Sequence, residues 1–218
     1  MSNAFRVGFC VSGYGALFRA AAIHSATLGI QPTLVVAGPN ASPDLEPFCR
    51  ERAIPCVVLP RLQRAAFNET ITPVCVQPQL DLLSLTFDRI IPPELVRHYR
   101  GRVINTHTSL LPAFKGLHGL AQALNAGARF AGATIHEVEE EVDAGAIIAQ
   151  CVVGIERGDS EVTLGERLYD SLRRMYLQVL AWYAAGRVVK DAHGHLWVRD
   201  AAYGLLPISP AVELDLPS

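Results

Sequence analysis

The feature that most constrains this chain is its opening, where an apolar run from Phe5 to Val11 ends in Ser12-Gly13-Tyr14-Gly15 and passes into the helix-forming stretch Ala16 to Leu28. A strand, a glycine turn and a helix in that order call for another strand beside the first, because a helix-length connection suits a right-handed parallel crossover. The next segments supply such strands. Thr33 to Ala37 is a second β-type run, a helix is expected from Pro43 to Arg52 with Ser42 as its N-cap, and Cys56 to Leu59 reads as a third strand. A helix over Leu62 to Val76, a buried strand over Leu80 to Leu85, a short helix from Pro93 to Tyr99 and a strand from Val103 to Asn105 continue the alternation. The expected class is α/β, a Rossmann-like and mainly parallel sheet with helices on both faces.

Further along, a helix is expected from Leu117 to Ala126, strands near Thr134 to Val138 and Ile147 to Val153, and a long helix from Thr163 to Ala185 that Gly186 stops. Leu196-Trp197-Val198, then Pro207 and Pro210, predict a short strand or hairpin and an extended end. There is no internal repeat, low-complexity tract or linker. One domain is expected over residues 1–186, with a C-terminal extension over 187–218. That extension is a candidate lid over a substrate or a homodimer contact.

Composition narrows the partners. With 19 Lys+Arg against 21 Asp+Glu, the net charge of −2 gives no reason to bind nucleic acid or an anionic membrane. Half of the 218 residues are hydrophobic, so a sizeable core and a small-molecule partner are expected. Cys10, Cys49, Cys56, Cys75 and Cys151 show no zinc-ligand spacing and read as reduced core thiols, so no metal is expected. No apolar run approaches the roughly 20 residues that span a bilayer, and the N-terminus lacks the order of a signal peptide, which points to the cytoplasm.

Three places can carry chemistry. The turn Ser12-Gly13-Tyr14-Gly15 opens a helix, where backbone N–H groups and the helix dipole receive anions; it lacks the third glycine of a dinucleotide fingerprint and the Lys-Ser/Thr of a P-loop. Asn105-Thr106-His107 stands at the C-terminal end of an expected parallel strand, where open α/β sheets place their ligand crevice. An Asn amide there can donate to a developing oxyanion, and a His two residues on projects the same way. The acidic run Glu139-Glu140-Glu141-Val142-Asp143 can fold one carboxylate onto a His, orienting the ring and favouring its charged form, but spacing does not choose which acid. His136 reads as a hydrogen-bonded core or site-wall residue. His118 reads as a helix-entry residue, and His193 and His195 as a tail pair without metal-ligand company.

The stretch Val103 to His118, reading VINTHTSLLPAFKGLH, followed by Thr134 to Gln150, reading TIHEVEEEVDAGAIIAQ, resembles the folate-dependent formyltransferases. The resemblance runs to about residue 185. It implies that Asn105, His107 and Asp143 are the catalytic trio, that 10-formyltetrahydrofolate is the formyl donor, and that a primary amine is the acceptor. It implies further that Phe87, Asp88, Arg89, Ile90 and Ile91, with Glu140, Glu141 and Val142, surround the pterin. The acceptor side falls to Ser12, Gly13, Tyr14, Gly15, Ala16, Leu17 and Leu172, and here the chain departs from the family. Ribonucleotide formyltransferases carry Ser-Asn where Ala16-Leu17 stand, and a glutamate that meets the amine aligns with Leu172. Thr108 stands where a proline usually follows the His, and Gly119-Leu120-Ala121 replace Thr-His-Arg. The expected reaction is N-formyl transfer to some other amine or hydroxylamine, such as an amino sugar or amino acid. Glycinamide ribonucleotide as acceptor, hydrolysis of the formyl-folate, and folate binding without catalysis are the alternatives.

Overall fold

A strand buried on both faces needs an unbroken apolar run, and the first strand has one from Val7 to Val11: these five residues are all buried in the computed structural model, which describes residues 4–216. Contacts gather the chain into two units, Met1–Asn105 and Thr106–Ser218. The first contains β1 (Phe5–Val11), α1 (Ala16–Ile23), α2 (Ser25–Leu28), β2 (Ile30–Ala37), α3 (Leu45–Glu51), β3 (Cys56–Val58), α4 (Arg64–Val76), β4 (Leu82–Thr86) and α5 (Pro93–His98), and β5 (Val103–His107) leads out of it.

Its strands lie in the order β3-β2-β1-β4-β5, and every pair is parallel. The chain winds one way from β1 through β2 to β3 and then returns to the other side of β1 for β4. That reversal places the C-terminal ends of β1 and β4 side by side, with Val11 opposite Thr86 and the Ser12 N–H donating to the Thr86 carbonyl at 3.1 Å. A crevice at such a switch point is where α/β sheets bind ligands. The glycine turn and the segment from Phe87 both begin there.

The second unit contains α6 (Gly119–Asn125), β6 (Phe130–Glu137), β7 (Ile147–Gly154), α7 (Glu161–Ala184), β8 (Val188–Lys190), β9 (Leu196–Val198) and β10 (Ile208–Ser209). β6, β7 and β10 pair antiparallel in the order β10-β7-β6, and β8 pairs antiparallel with β9. The β6–β7 register slips between Ile135 and His136, and a slip of this kind re-aims the side chain that follows it. α7 buries a long apolar stripe that includes Leu172, Tyr176 and Trp182.

Several local expectations are corrected. The stretch from Ala16 to Leu28 is broken at His24 into α1 and α2. The helix expected from Pro43 begins at Leu45 with Asp44 at the N-cap; the Ser42 hydroxyl is bonded to the Asp44 carboxylate and does not cap. β2 begins at Ile30, three residues before the expected Thr33, because edge-like Pro32 is tolerated beside a register shift in β1. β6 begins at Phe130, before the expected Thr134, and α7 begins at Glu161, where Ser160 and Thr163 form a reciprocal capping box.

Candidate active site

The glycine turn is built from within the first unit. Gly13 and Gly15 hold φ of 57° and 68°, the left-handed region that glycine enters without strain, so the chain can leave β1 and enter α1 in four residues. The Ser12 hydroxyl donates to Asp88 Oδ1 at 2.6 Å and accepts from the Asp88 N–H at 3.0 Å, and Asn40 Nδ2 donates to Asp88 Oδ2 at 2.9 Å. Ser12 and Asp88 are therefore brought together, across the ends of β1 and β4. Tyr14 is exposed, Ala16 half-buried and Leu17 buried. The cation of α1 is already committed: Arg19 is 7% exposed, donates to the Tyr14 carbonyl at 2.8 Å, pairs with Asp44 at 2.9 Å, and lies against the rings of Tyr14 and Phe48. Of the segment after β4, Arg89 donates to the Leu62 carbonyl and covers the Phe67 ring, Ile90 is exposed and Ile91 is buried.

In the second unit, a carboxylate stands between two imidazoles. Asp143 lies in the β6–β7 turn at φ 52°, an unusual conformation for a non-glycine residue, and its side chain is 6% exposed. Its Oδ2 accepts from the Gly116 N–H at 2.8 Å and lies 3.6 Å from His107 Nδ1. Its Oδ1 lies 3.6 Å from His136 Nε2. Of the acids in the run, Asp143 is thus the one that meets His107. Glu140, Glu141 and Val142 lie on the exposed part of the same turn.

Each ring is pinned at its far nitrogen by a carbonyl, and a carbonyl only accepts. His107 Nε2 lies 3.0 Å from the Phe114 carbonyl, and His136 Nδ1 lies 2.7 Å from the Glu137 carbonyl. Both of those nitrogens therefore carry protons, and a charged His107 would in addition present Nδ1–H to Asp143. Asn105, two residues before His107 on β5, shares its strand face by the period of a strand. Thr106 between them faces the other way.

The residues that position this group were missed by sequence reasoning. Phe114 holds φ 54° and aims its carbonyl at His107, a strained conformation that the surrounding loop must impose. The loop is tied down through Thr134, whose hydroxyl donates to the Ser109 carbonyl at 2.7 Å and accepts from the Leu111 N–H at 3.1 Å, and through Gln150, which donates to the Leu111 carbonyl at 2.9 Å. A buried Thr in a strand and a Gln opposite it carry no local signal of this task. Leu172 is 7% exposed on α7, an apolar side chain within the second unit's core. Among the described residues, no group of His, Cys, Asp and Glu side chains is arranged to hold a metal ion.

His136 has a consequence for stability. Burial, above all, holds its imidazole below the ordinary value of 6.5, against the opposing pull of the Glu137 carbonyl and Asp143. The folded chain then binds fewer protons than the unfolded chain as pH falls through about 6.5, so this contribution to stability is present above that pH and declines below it. Urea unfolding of His136→Gln and the native protein at several pH values is expected to show the native curve falling more steeply in acid, by up to about 1.4 kcal/mol per pH unit. Parallel curves would remove His136 from this role.

The sequence profile described as Formyl transferase matches residues 9–180. The phosphoribosylglycinamide formyltransferase of Mycobacterium tuberculosis (strain ATCC 25618 / H37Rv) is 37% identical over 182 residues, covering 81% of this chain and 83% of that protein. The crystal structure of phosphoribosylglycinamide formyltransferase from Anaplasma phagocytophilum superposes with a TM-score of 0.81 at 30% identity, covering 90% of this chain and 95% of that one. A formyltetrahydrofolate deformylase structure from Pseudomonas syringae pv. tomato str. DC3000 superposes with a TM-score of 0.83 at 28% identity, covering 91% of this chain and 67% of that one.

Proposed function

The chain belongs to the formyl transferase family and is a folate-dependent formyltransferase, and from that premise we propose that it moves the formyl group of 10-formyltetrahydrofolate onto the primary amine of glycinamide ribonucleotide. The observation that carries the chemistry is the buried carboxylate of Asp143 facing His107, with Asn105 two residues earlier on the same strand. The acceptor identity is supported by the names of the similar proteins, which weigh for the ribonucleotide over the amino sugar, amino acid or hydroxylamine expected from the sequence.

In the proposed reaction the amine nitrogen attacks the formyl carbon, and the carbonyl oxygen becomes an oxyanion. The Asn105 amide donates to that oxyanion, and protonated His107, whose Nε2–H is held by the Phe114 carbonyl and whose Nδ1 faces Asp143, acts on it through its positive charge, which is worth more in a water-poor crevice than in bulk solvent. Asp143 orients His107 and takes part in removing a proton from the attacking nitrogen, directly or through water. Collapse breaks the bond to the folate nitrogen, which leaves with a proton, so protons balance over the cycle. Phe87 to Ile91 and Glu140 to Val142 are proposed as the donor's contacts. No metal enters the scheme.

A second reading rests on the glycine turn. α1 opens with Ala16 and Leu17, which have no hydroxyl or amide, and Arg19 is already committed to Asp44 and the Tyr14 carbonyl. The turn therefore offers a phosphate fewer side-chain donors than the Ser-Asn pair of the ribonucleotide formyltransferases would. Leu172 is apolar and buried and cannot accept from an ammonium. These features support a primary amine without a phosphate as acceptor. The test is release of tetrahydrofolate from 10-formyltetrahydrofolate with no acceptor, with glycinamide ribonucleotide, and with amino sugars, amino acids and hydroxylamines. Release confined to the ribonucleotide is the expected result; release confined to another amine replaces it with the second reading. Release without amine means hydrolysis, as in the deformylase to which the chain is similar, and silence throughout with tight folate binding means a folate-binding protein.

A further inference from the structure

The second imidazole on Asp143 has no part in the reaction just described. His136 is 2% exposed, and its ring is fixed by the Glu137 carbonyl at Nδ1, so the nitrogen left to gain or lose a proton is Nε2, which faces Asp143 Oδ1 at 3.6 Å. His107 is built the same way on the other side: Nε2 is fixed on the Phe114 carbonyl and Nδ1 faces Asp143 Oδ2 at 3.6 Å. We propose that His136 is a positioning residue for Asp143 and its second titrating partner, so that proton occupancy belongs to a His107–Asp143–His136 unit and not to a His107–Asp143 pair.

The physics follows from the geometry. A neutral ring turns a lone pair toward the carboxylate and is repelled; a charged ring turns an N–H toward it and is held. One carboxylate cannot serve two buried cations as well as one, so a proton on either ring changes the pull of Asp143 on the other, and such groups titrate jointly. Among the described residues, the charged and titratable groups that face His136 include Asp143 from the β6–β7 turn and His107 from β5. Glu137, its neighbour on β6, is engaged with Lys190 of β8 at 2.7 Å, which anchors this end of β6 to the C-terminal segment. Burial, first of all, and then the neighbouring His107 disfavour a proton on His136, against the pull of the Glu137 carbonyl and Asp143.

This inference rests on the formyl-transfer reading only for its effect on rate. The test follows the ring resonances of both histidines by NMR between about pH 5 and pH 9 in the native chain and in His136→Gln, alongside tetrahydrofolate release. In the native chain, the His107 curve is expected to show an inflection at the His136 midpoint. In His136→Gln that inflection disappears and the remaining His107 midpoint moves by about half a pH unit or more, while kcat falls about tenfold and the donor KM stays within about twofold. A single His107 midpoint, unchanged in the variant, overturns the proposal. If the variant shows no cooperative melting, the native curve decides alone, since the shared inflection is either present or absent there. A native protein that releases no tetrahydrofolate with any acceptor overturns the formyl-transfer reading, and the histidine titrations still settle the coupling.

Discussion

Replacing His107 by alanine is expected to lower tetrahydrofolate release by about a thousandfold while donor affinity stays within about threefold of native. In the proposed reaction the charge on the ring serves the oxyanion, which exists only during the reaction, so its loss raises the barrier without weakening the ground-state complex. Asp143→Asn is expected to cost less, about a hundredfold, because an amide oxygen can still accept from the Gly116 N–H while the negative charge opposite His107 is gone. Stopped-time assays with the acceptor identified by the panel, with equilibrium titration of the folate, separate the two effects. If His107→Ala keeps its rate within about threefold, the charge on the ring is not what stabilises the oxyanion. If folate binding collapses with the rate, His107 supports the loop from Ser109 to Gly116 and the chemistry lies elsewhere.

The sheet of the first unit was legible because strands buried on both faces leave mainly apolar runs, as in Val7 to Val11 and Leu82 to Leu85, and because glycine marks the turn between β1 and α1. The helix ends were less legible. Ser42 has the chemistry of a cap, yet its hydroxyl goes to Asp44, which takes the N-cap position itself. The break at His24 has no proline or glycine to announce it. β10 is a two-residue strand between Pro207 and Pro210, held by pairing with Cys151 and Gln150 that local pattern does not encode.

Within the candidate site, Asn105 and His107 were legible because the period of a strand puts them on one face, and the family motif singled out Asp143. Residue spacing alone leaves all the acids from Glu139 onward equivalent; what distinguishes Asp143 is a left-handed backbone that turns its side chain inward while Glu140 and Glu141 stay exposed. His136 was read as a core or wall residue, and burial bears that out. Its place against Asp143 depends on the register slip in β6 and on a turn returning over it, both long-range features. The Phe114 carbonyl and the Gly116 N–H are backbone atoms, and sequence reasoning that looks for side chains passes over them.

The second large effect is expected at a residue with no side chain. Gly145 packs so closely on β6 that an added Cβ would lie 1.8 Å from the Glu137 carbonyl oxygen and 2.7 Å from its carbon, both backbone atoms that cannot swing aside. The same Glu137 residue closes the turn through its N–H to the Ala146 carbonyl at 2.9 Å, and its carbonyl holds His136 Nδ1 at 2.7 Å. Gly145→Ala must therefore push the turn that carries Asp143 away from the strand that carries His136. The expected loss is about 2 to 3 kcal/mol of stability, with kcat reduced about a hundredfold through the displaced carboxylate. Gly154→Ala at the end of β7 is the matched control, since nothing lies within 4 Å of its added Cβ, and its stability is expected within about 0.5 kcal/mol of native. Urea unfolding and tetrahydrofolate release on both variants test this. Native-like values for Gly145→Ala would mean that the turn can relax without moving Asp143, and the close approach at Glu137 would then have no part in holding the site.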